Sequence, residues 1–255
     1  MKRILLILLL FGFVSSVFSQ QEEEQPIPPK RSKAARVGAF GGFIPGVLFV
    51  DVKPINDVLV SAGGAALNDG GVFMYGGGGA AYIMLVPNLR VGGMGMSGSI
   101  KSTSLDVNKV RRDAELHVGF GGVTVEYVVP LGERLDVAIG GMLGGGGIDI
   151  TLRQDVGGSK TWGQEWNNFR FGNYQTGGQI NHIKQTMSGS FLVWIPSANV
   201  EYAILGWLGV RVGASYVGMS LPSWTIDDNY DLLGVPSNVH GKGFMINAGV
   251  FVGTF

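Results

Sequence analysis

The sequence predicts an all-β fold: a closed, antiparallel, up-and-down β-barrel of about eight strands that crosses a membrane. Three observations lead there. Between about Ala35 and Phe255, apolar and polar or small residues alternate with period two, which puts them on opposite faces of a strand. Hydrophobicity arrives in parcels of roughly ten residues, the length a tilted membrane strand needs, and no later uncharged run reaches helical-span length. The connections between parcels run long, short, long, short, as in a barrel with turns at one rim and loops at the other.

The N-terminus sets the address. Lys2 and Arg3 precede an apolar run from Ile4 to Phe13, and Val17 and Ser19 supply small residues before Gln20. This is the layout of a cleaved export signal over 1–19. Residues 20–34 are charged and proline-bearing, with nothing to bury, and read as a flexible periplasmic leader. The barrel domain then occupies 35–255. The chain has no cysteine, which excludes a lipid-modified cysteine, disulfides and thiolate metal sites. Without Lys2 and Arg3 the 19 basic residues fall to 17 against 19 acidic, a net charge of −2, so nucleic acid drops out as a partner. Mean hydropathy is +0.26. Glycine contributes 43 of 255 residues without a Gly-X-Y period, so many glycines inside apolar runs need a structural reason.

Eight strands are expected over 35–43, 70–86, 88–101, 109–129, 134–152, 186–204, 206–220 and 242–255, or ten if 44–69 or 153–185 hides a hairpin. Val-Pro-Asn-Leu at 86–89, Pro-Leu-Gly-Glu-Arg at 130–134 and Ile-Leu-Gly-Trp at 204–207 are the tight turns. The loops at 44–69, 102–108, 153–185 and 221–241 then share the opposite, extracellular side. Alternation places Val125 and Tyr127 opposite Thr124 and Glu126. It places Leu135, Val137 and Ile139 opposite Asp136, and Val210 and Val212 opposite Arg211. The apolar set is assigned to lipid, because a cation facing the bilayer midplane costs about 2–4 kcal/mol. The phase slips at Gly121-Gly122 and near Gly146-Gly147, where bulges or bends are expected. In the first long loop, Pro54 to Ala62 carries a proline start, apolar residues at helical spacing and Gly63 as a stop. This short helix is expected to pack on a glycine wall or cap the mouth.

With the export signal, the hairpin rhythm and the closing segment KGFMINAGVFVGTF, the chain resembles the small outer-membrane β-barrel proteins of Gram-negative bacteria. The resemblance implies an outer-membrane location, lipid and lipopolysaccharide as surroundings, and Phe255 as the insertion signal read by the barrel-insertion machinery. Gly253, Gly249 and Asn247 depart from the alternating apolar pattern usual there. The architecture hosts adhesins, enzymes, anchors and pores, so the resemblance names no activity.

Several constellations are candidates for carrying function. Arg36, Arg90, Glu126, Asp136, Glu201 and Arg211 all point inward near the tight-turn rim, with Arg90 expected beside Glu126 and Arg211 beside Glu201. A structural charge plug is the bland reading; a selectivity ring or proton path is the sharp one. A glycine belt runs through Gly76 to Gly79, Gly92, Gly93, Gly95, Gly119, Gly121, Gly122, Gly140, Gly141 and Gly144 to Gly147. In the loops, Trp162, Trp166, Phe169, Phe171, Tyr174, Trp224 and Tyr230 are candidates for recognising a sugar or a protein, against packing among themselves. Catalysis has the thinnest support: His117, expected to face inward near Glu115 and Asp113, with Ser97 and Ser99 on the preceding strand. No metal or cofactor site is expected. The expected function is a non-enzymatic barrel with a structural or surface-recognition role through its aromatic-rich loops. A narrow passive pore is the second reading and an outer-membrane lipid hydrolase the third.

Overall fold

The computed structural model describes residues 38–83, 85–106, 110–155, 161–171, 182–220, 223–227 and 230–254. The expected export signal and leader, and Arg36, Tyr174 and Phe255, lie outside them. In chain order the elements are β1 (Ala39–Phe43), β2 (Gly46–Val50), α1 (Lys53–Ser61), β3 (Val72–Tyr82), β4 (Leu89–Leu105), β5 (Arg111–Pro130), β6 (Leu135–Asp155), α2 (Trp162–Phe171), β7 (His182–Ala203), β8 (Leu208–Met219), β9 (Ser223–Ile226), β10 (Tyr230–Asp231) and β11 (Gly243–Gly253).

Every pairing is antiparallel, and the pairings return on themselves. The path runs from β3 through β8 to β11, and β11 pairs with both β1 and β2, which also pair with β3. Because β1 and β2 share these neighbours, they are two halves of one broken strand, and the ring has eight members. The break falls at Ile44-Pro45, where proline has no N–H to give the ladder. The remaining groups are still used: the Ile44 N–H donates to Gly76 O at 2.9 Å, and the Ala248 N–H donates to Pro45 O at 2.9 Å. The first strand therefore continues to Val50, past the expected end at 43. The 221–241 loop contains the hairpin β9–β10, which pairs with β7 off the ring. These two features make eleven segments of an expected eight.

The expected bulges are absent. The β4–β5 register runs unbroken through Met96 opposite Phe120, Gly95 opposite Gly121 and Gly93 opposite Val123. The β5–β6 register is equally continuous, with Gly121 opposite Gly145 and Val123 opposite Leu143. Even-numbered residues of β5 point inward along its whole length. Polarity changes along the strand while its phase does not. Toward the turn rim, Val123, Val125 and Tyr127 are exposed on the outside and Glu126 is buried inside. Toward the loop rim, Ala114, Leu116, Val118 and Phe120 are buried inside, and Asp113, Glu115 and His117 alternate with them on the outside.

The core fills the loop half of the ring. Leu48, Val72, Met74, Leu116, Val118, Ile148 and Met245 are fully buried there. Ile55 and Leu59 from α1 join the same cluster, each contributing about 1.5–3 kcal/mol by burial. Proline in the first turn of α1 suits the free N–H positions, and Gly63, at φ +77°, ends it. Asn56 then ties the returning chain through Leu67 N–H (2.7 Å) and Leu67 O (3.0 Å), while the Ser102 hydroxyl donates to Ala65 O at 2.7 Å. The helix thus caps the loop rim of the ring, the second of its two expected positions.

Candidate functional site

Four side chains from four strands meet inside the ring at the turn rim. Direct cross-strand pairing sets Arg90 on β4 opposite Glu126 on β5, and Glu201 on β7 opposite Arg211 on β8. The Arg90 Nε donates to Glu126 Oε2 at 2.7 Å, and the Arg211 Nε donates to Glu201 Oε1 at 2.7 Å. Both arginines also reach across the lumen. Arg90 Nη1 donates to Glu201 Oε2 at 2.8 Å, with Nη2 on Glu201 Oε1, and Arg211 Nη2 donates to Glu126 Oε2 at 2.9 Å. The result is a closed cycle in which each cation binds both anions.

The cycle is deeply enclosed. Arg90 is 1 % exposed and Glu126 5 %. Asn199 Nδ2 donates to the remaining Glu126 oxygen at 3.3 Å. Phe40 and Phe251 complete the wall, with the Arg90 guanidinium 4.9 Å from one ring centroid and that of Arg211 5.2 Å from the other. Asp136, buried in the same layer, stands opposite Glu201 on β6. The two adjacent pairs were legible in the sequence. The cross-lumen bonds, Asn199 and the two phenylalanines were not, although all three residues hold the inward phase of their strands.

Above the cycle, Thr124, Asn199, Ser215 and Asn247 border a cavity of about 30 Å³, room for about two waters. Beyond that, Met96, Phe120, Met142, Phe191 and Ile195 are packed across the lumen. The interior is thus layered: charge, a small polar gap, then an apolar layer, with a further cavity of about 190 Å³ between α1 and the loop-rim ends of β4 to β7.

The outer face carries the opposite sequence of layers. Its turn half is apolar, with Phe43, Val123, Ile139, Leu143, Leu192, Val212, Ile246 and Val250 exposed. Gly95, Gly119, Gly121, Gly145 and Gly147 follow, then charged and hydroxyl side chains. Among these, Lys101 pairs with Glu115 at 3.1 Å, Arg111 with Asp113 at 3.0 Å, and His117 Nδ1 with Asp149 Oδ2 at 3.4 Å. One cross-strand row reads Ser99, His117, Asp149, Ser188. His117 therefore points outward, against the inward placement expected from the sequence, because the phase does not slip at Gly121-Gly122.

The loop aromatics do not form one cluster. Trp162 and Trp166 stand exposed on α2 and meet edge to face at 5.6 Å. Trp224 is buried in the core and Tyr230 is exposed on the β9–β10 hairpin. Phe169 and Phe171 lie on α2, their side chains outside the described residues.

No protein-family model and no curated protein matches this chain. Solved structures that it resembles are outer-membrane β-barrel proteins. The attachment invasion locus protein Ail of Yersinia pestis, solved with the heparin analogue sucrose octasulfate, is 10% identical over 84% of this chain and 97% of its own, at a TM-score of 0.37. The N-terminal β-barrel domain of Pseudomonas aeruginosa OprF is 11% identical over 86% and 98%, at 0.35. A major outer membrane protein of Thermus thermophilus is 12% identical over 85% and 98%, at 0.41.

Proposed function

We propose that this chain is an eight-stranded transmembrane barrel of the bacterial outer membrane, closed to solutes, whose working surface is the half that projects beyond the bilayer. One observation carries this reading: the polarity of both faces inverts part-way along unbroken strands. A ring in water alone would not keep valine, leucine and phenylalanine outside and an Arg–Glu cycle inside. A ring wholly in lipid would not place Lys101, Arg111 and Asp113 outside. On β11 the outward apolar residues run from Phe244 to Val252, which spans roughly 20 Å after a tilt of about 40° and suits a lipid-facing belt.

Several features support a closed lumen. An eight-stranded ring is only just wide enough for side chains to fill, and charge, methionine and α1 fill this one in turn. The expected result in planar bilayers is insertion without steady open steps. Regular ohmic steps from the folded protein would favour the pore. On the projecting half, the exposed Trp162–Trp166 pair offers an apolar foothold for an extracellular ligand or partner, and the charged outer row sits at the level of lipopolysaccharide headgroups.

A further inference from the structure

We propose that Ser97, His117 and Asp149 form a catalytic centre on the outer wall that hydrolyses the acyl esters of outer-leaflet lipids. The inference rests on the transmembrane reading above and departs from the expectation of a non-enzymatic barrel. Strand register does the positioning. His117 stands opposite Asp149, and Ser97 stands opposite Gly119, one outward step toward the turn rim. The Asp149 contact of 3.4 Å engages Nδ1 of the imidazole from the β6 side, so Nε2 is the nitrogen that would take a proton from Ser97 on β4. His117 Cε1 and the Ser97 Cβ each come within 3.5 Å of the point a Cβ on Gly119 would occupy. Those two separations of 3.5 Å put the two atoms no more than about 7 Å apart, on either side of the Gly119 position.

Stability does not explain this arrangement. The His117 and Asp149 side chains are 44% and 39% exposed, and an exposed pair contributes about 0–1 kcal/mol. Location points to the substrate. The row marks the step from apolar to charged outer residues, and lipid ester carbonyls lie at that step, between hydrocarbon and headgroup. Below it, Gly121, Gly145 and Gly147 leave bare wall against which an acyl chain can lie. Above it, Lys101 supplies a cation at headgroup height.

The chemistry balances within the site. The Ser97 hydroxyl oxygen attacks the ester carbonyl carbon while His117 takes its proton. The carbonyl–alkoxy bond then breaks, His117 returns the proton to the departing alcohol, and the acyl group stays on Ser97. Water, deprotonated by His117, attacks that acyl-enzyme. Fatty acid leaves, and the proton returns to Ser97. Asp149 is a positioning residue, holding the imidazole and offsetting its positive charge.

The full-length protein, refolded in detergent, is treated with a fluorophosphonate probe and, separately, with mixed micelles of dioleoylphosphatidylglycerol or of lipid A. The proposal expects covalent probe on Ser97, identified by peptide mass, and free fatty acid from at least one lipid. The two arms tell which lipid is used. Ser97→Ala abolishes both signals, Ser99→Ala retains them, and His117→Ala lowers both at least about 100-fold. Asp149→Asn slows labelling about 1,000-fold or more, while Asp149→Glu keeps most of the rate, which a merely structural aspartate would not require. A folded protein whose Ser97 takes no probe, or which releases fatty acid from neither lipid, overturns the proposal. So does labelling that survives Ser97→Ala but not Ser99→Ala. Heat-modifiable migration is recorded for every variant: its absence from the wild type counts against the barrel, whereas a folded, unlabelled wild type counts against the catalytic centre alone.

Discussion

Replacing Gly144 by alanine should strongly destabilise the folded ring, whereas the same change at the next residue, Gly145, should pass unnoticed. Gly144 faces the lumen on β6, directly opposite Gly122 on β5. A Cβ there would run into the Gly121 carbonyl oxygen and fall 2.6 Å from Gly122 Cα. Both obstacles are backbone in the paired strand, so neither can rotate away. The cost is about 3 kcal/mol or more, as for other overpacked sites. Gly145 faces outward, and its Cβ would meet nothing closer than Phe191 O at 3.7 Å, an ordinary contact. Alanine there also loses less backbone entropy on folding, so the effect is neutral or stabilising by up to about 1 kcal/mol. The heat-resistant, fast-migrating form on unheated gels and the urea midpoint in micelles read both variants. Wild-type behaviour of Gly144→Ala would show that the strands are not held so closely.

Arg90→Ala should be the most damaging change in the lumen. It removes a cation that binds Glu126 and Glu201 together and leaves both carboxylates enclosed with Arg211 alone. Breaking a buried pair from one side costs about 3–5 kcal/mol. Removing charge from both sides is milder: Arg90→Met combined with Glu126→Gln should cost less than the sum of the single changes, with a coupling of about 0.5–3 kcal/mol. Urea unfolding of the four proteins in micelles closes that cycle. An unchanged midpoint for Arg90→Ala would mean that water screens the layer, and with it that the lumen is open.

Much of the turn half was legible in the sequence because one rule governs it. Apolar side chains outside and charge inside make Val125-Glu126-Tyr127 or Val210-Arg211-Val212 readable at sight. The loop half follows the opposite rule. There Leu116, Val118 and Phe120 are apolar because they are inside, and Glu115 and His117 are polar because they are outside. Applying the lipid rule throughout turned a change of polarity along the strand into an apparent slip of phase and sent His117 to the wrong face. The tight turn at 131–134 nevertheless contained the correction. Counting residues back from it pairs Pro130 with Asp136 and, without a slip, His117 with Asp149. Contacts across the lumen, such as Arg90 with Glu201, had no such signal, since ladder counting reaches only the next strand. The broken first strand hid because Pro45 looks like a loop residue until both sides of it are seen to share neighbours.

The charged loop half has a consequence for biogenesis. In the transmembrane arrangement proposed above, Lys101, Arg111, Asp113 and Glu115 end up on the far side of the bilayer while belonging to the same β4–β5 hairpin as the greasy wall. That hairpin cannot slide through hydrocarbon as a finished unit without dragging its ions along. The tips must be delivered through a protein-lined opening while the cylinder is still unsealed. Zipping of β11 onto the first strand should therefore be the last event of assembly, following delivery of the tips.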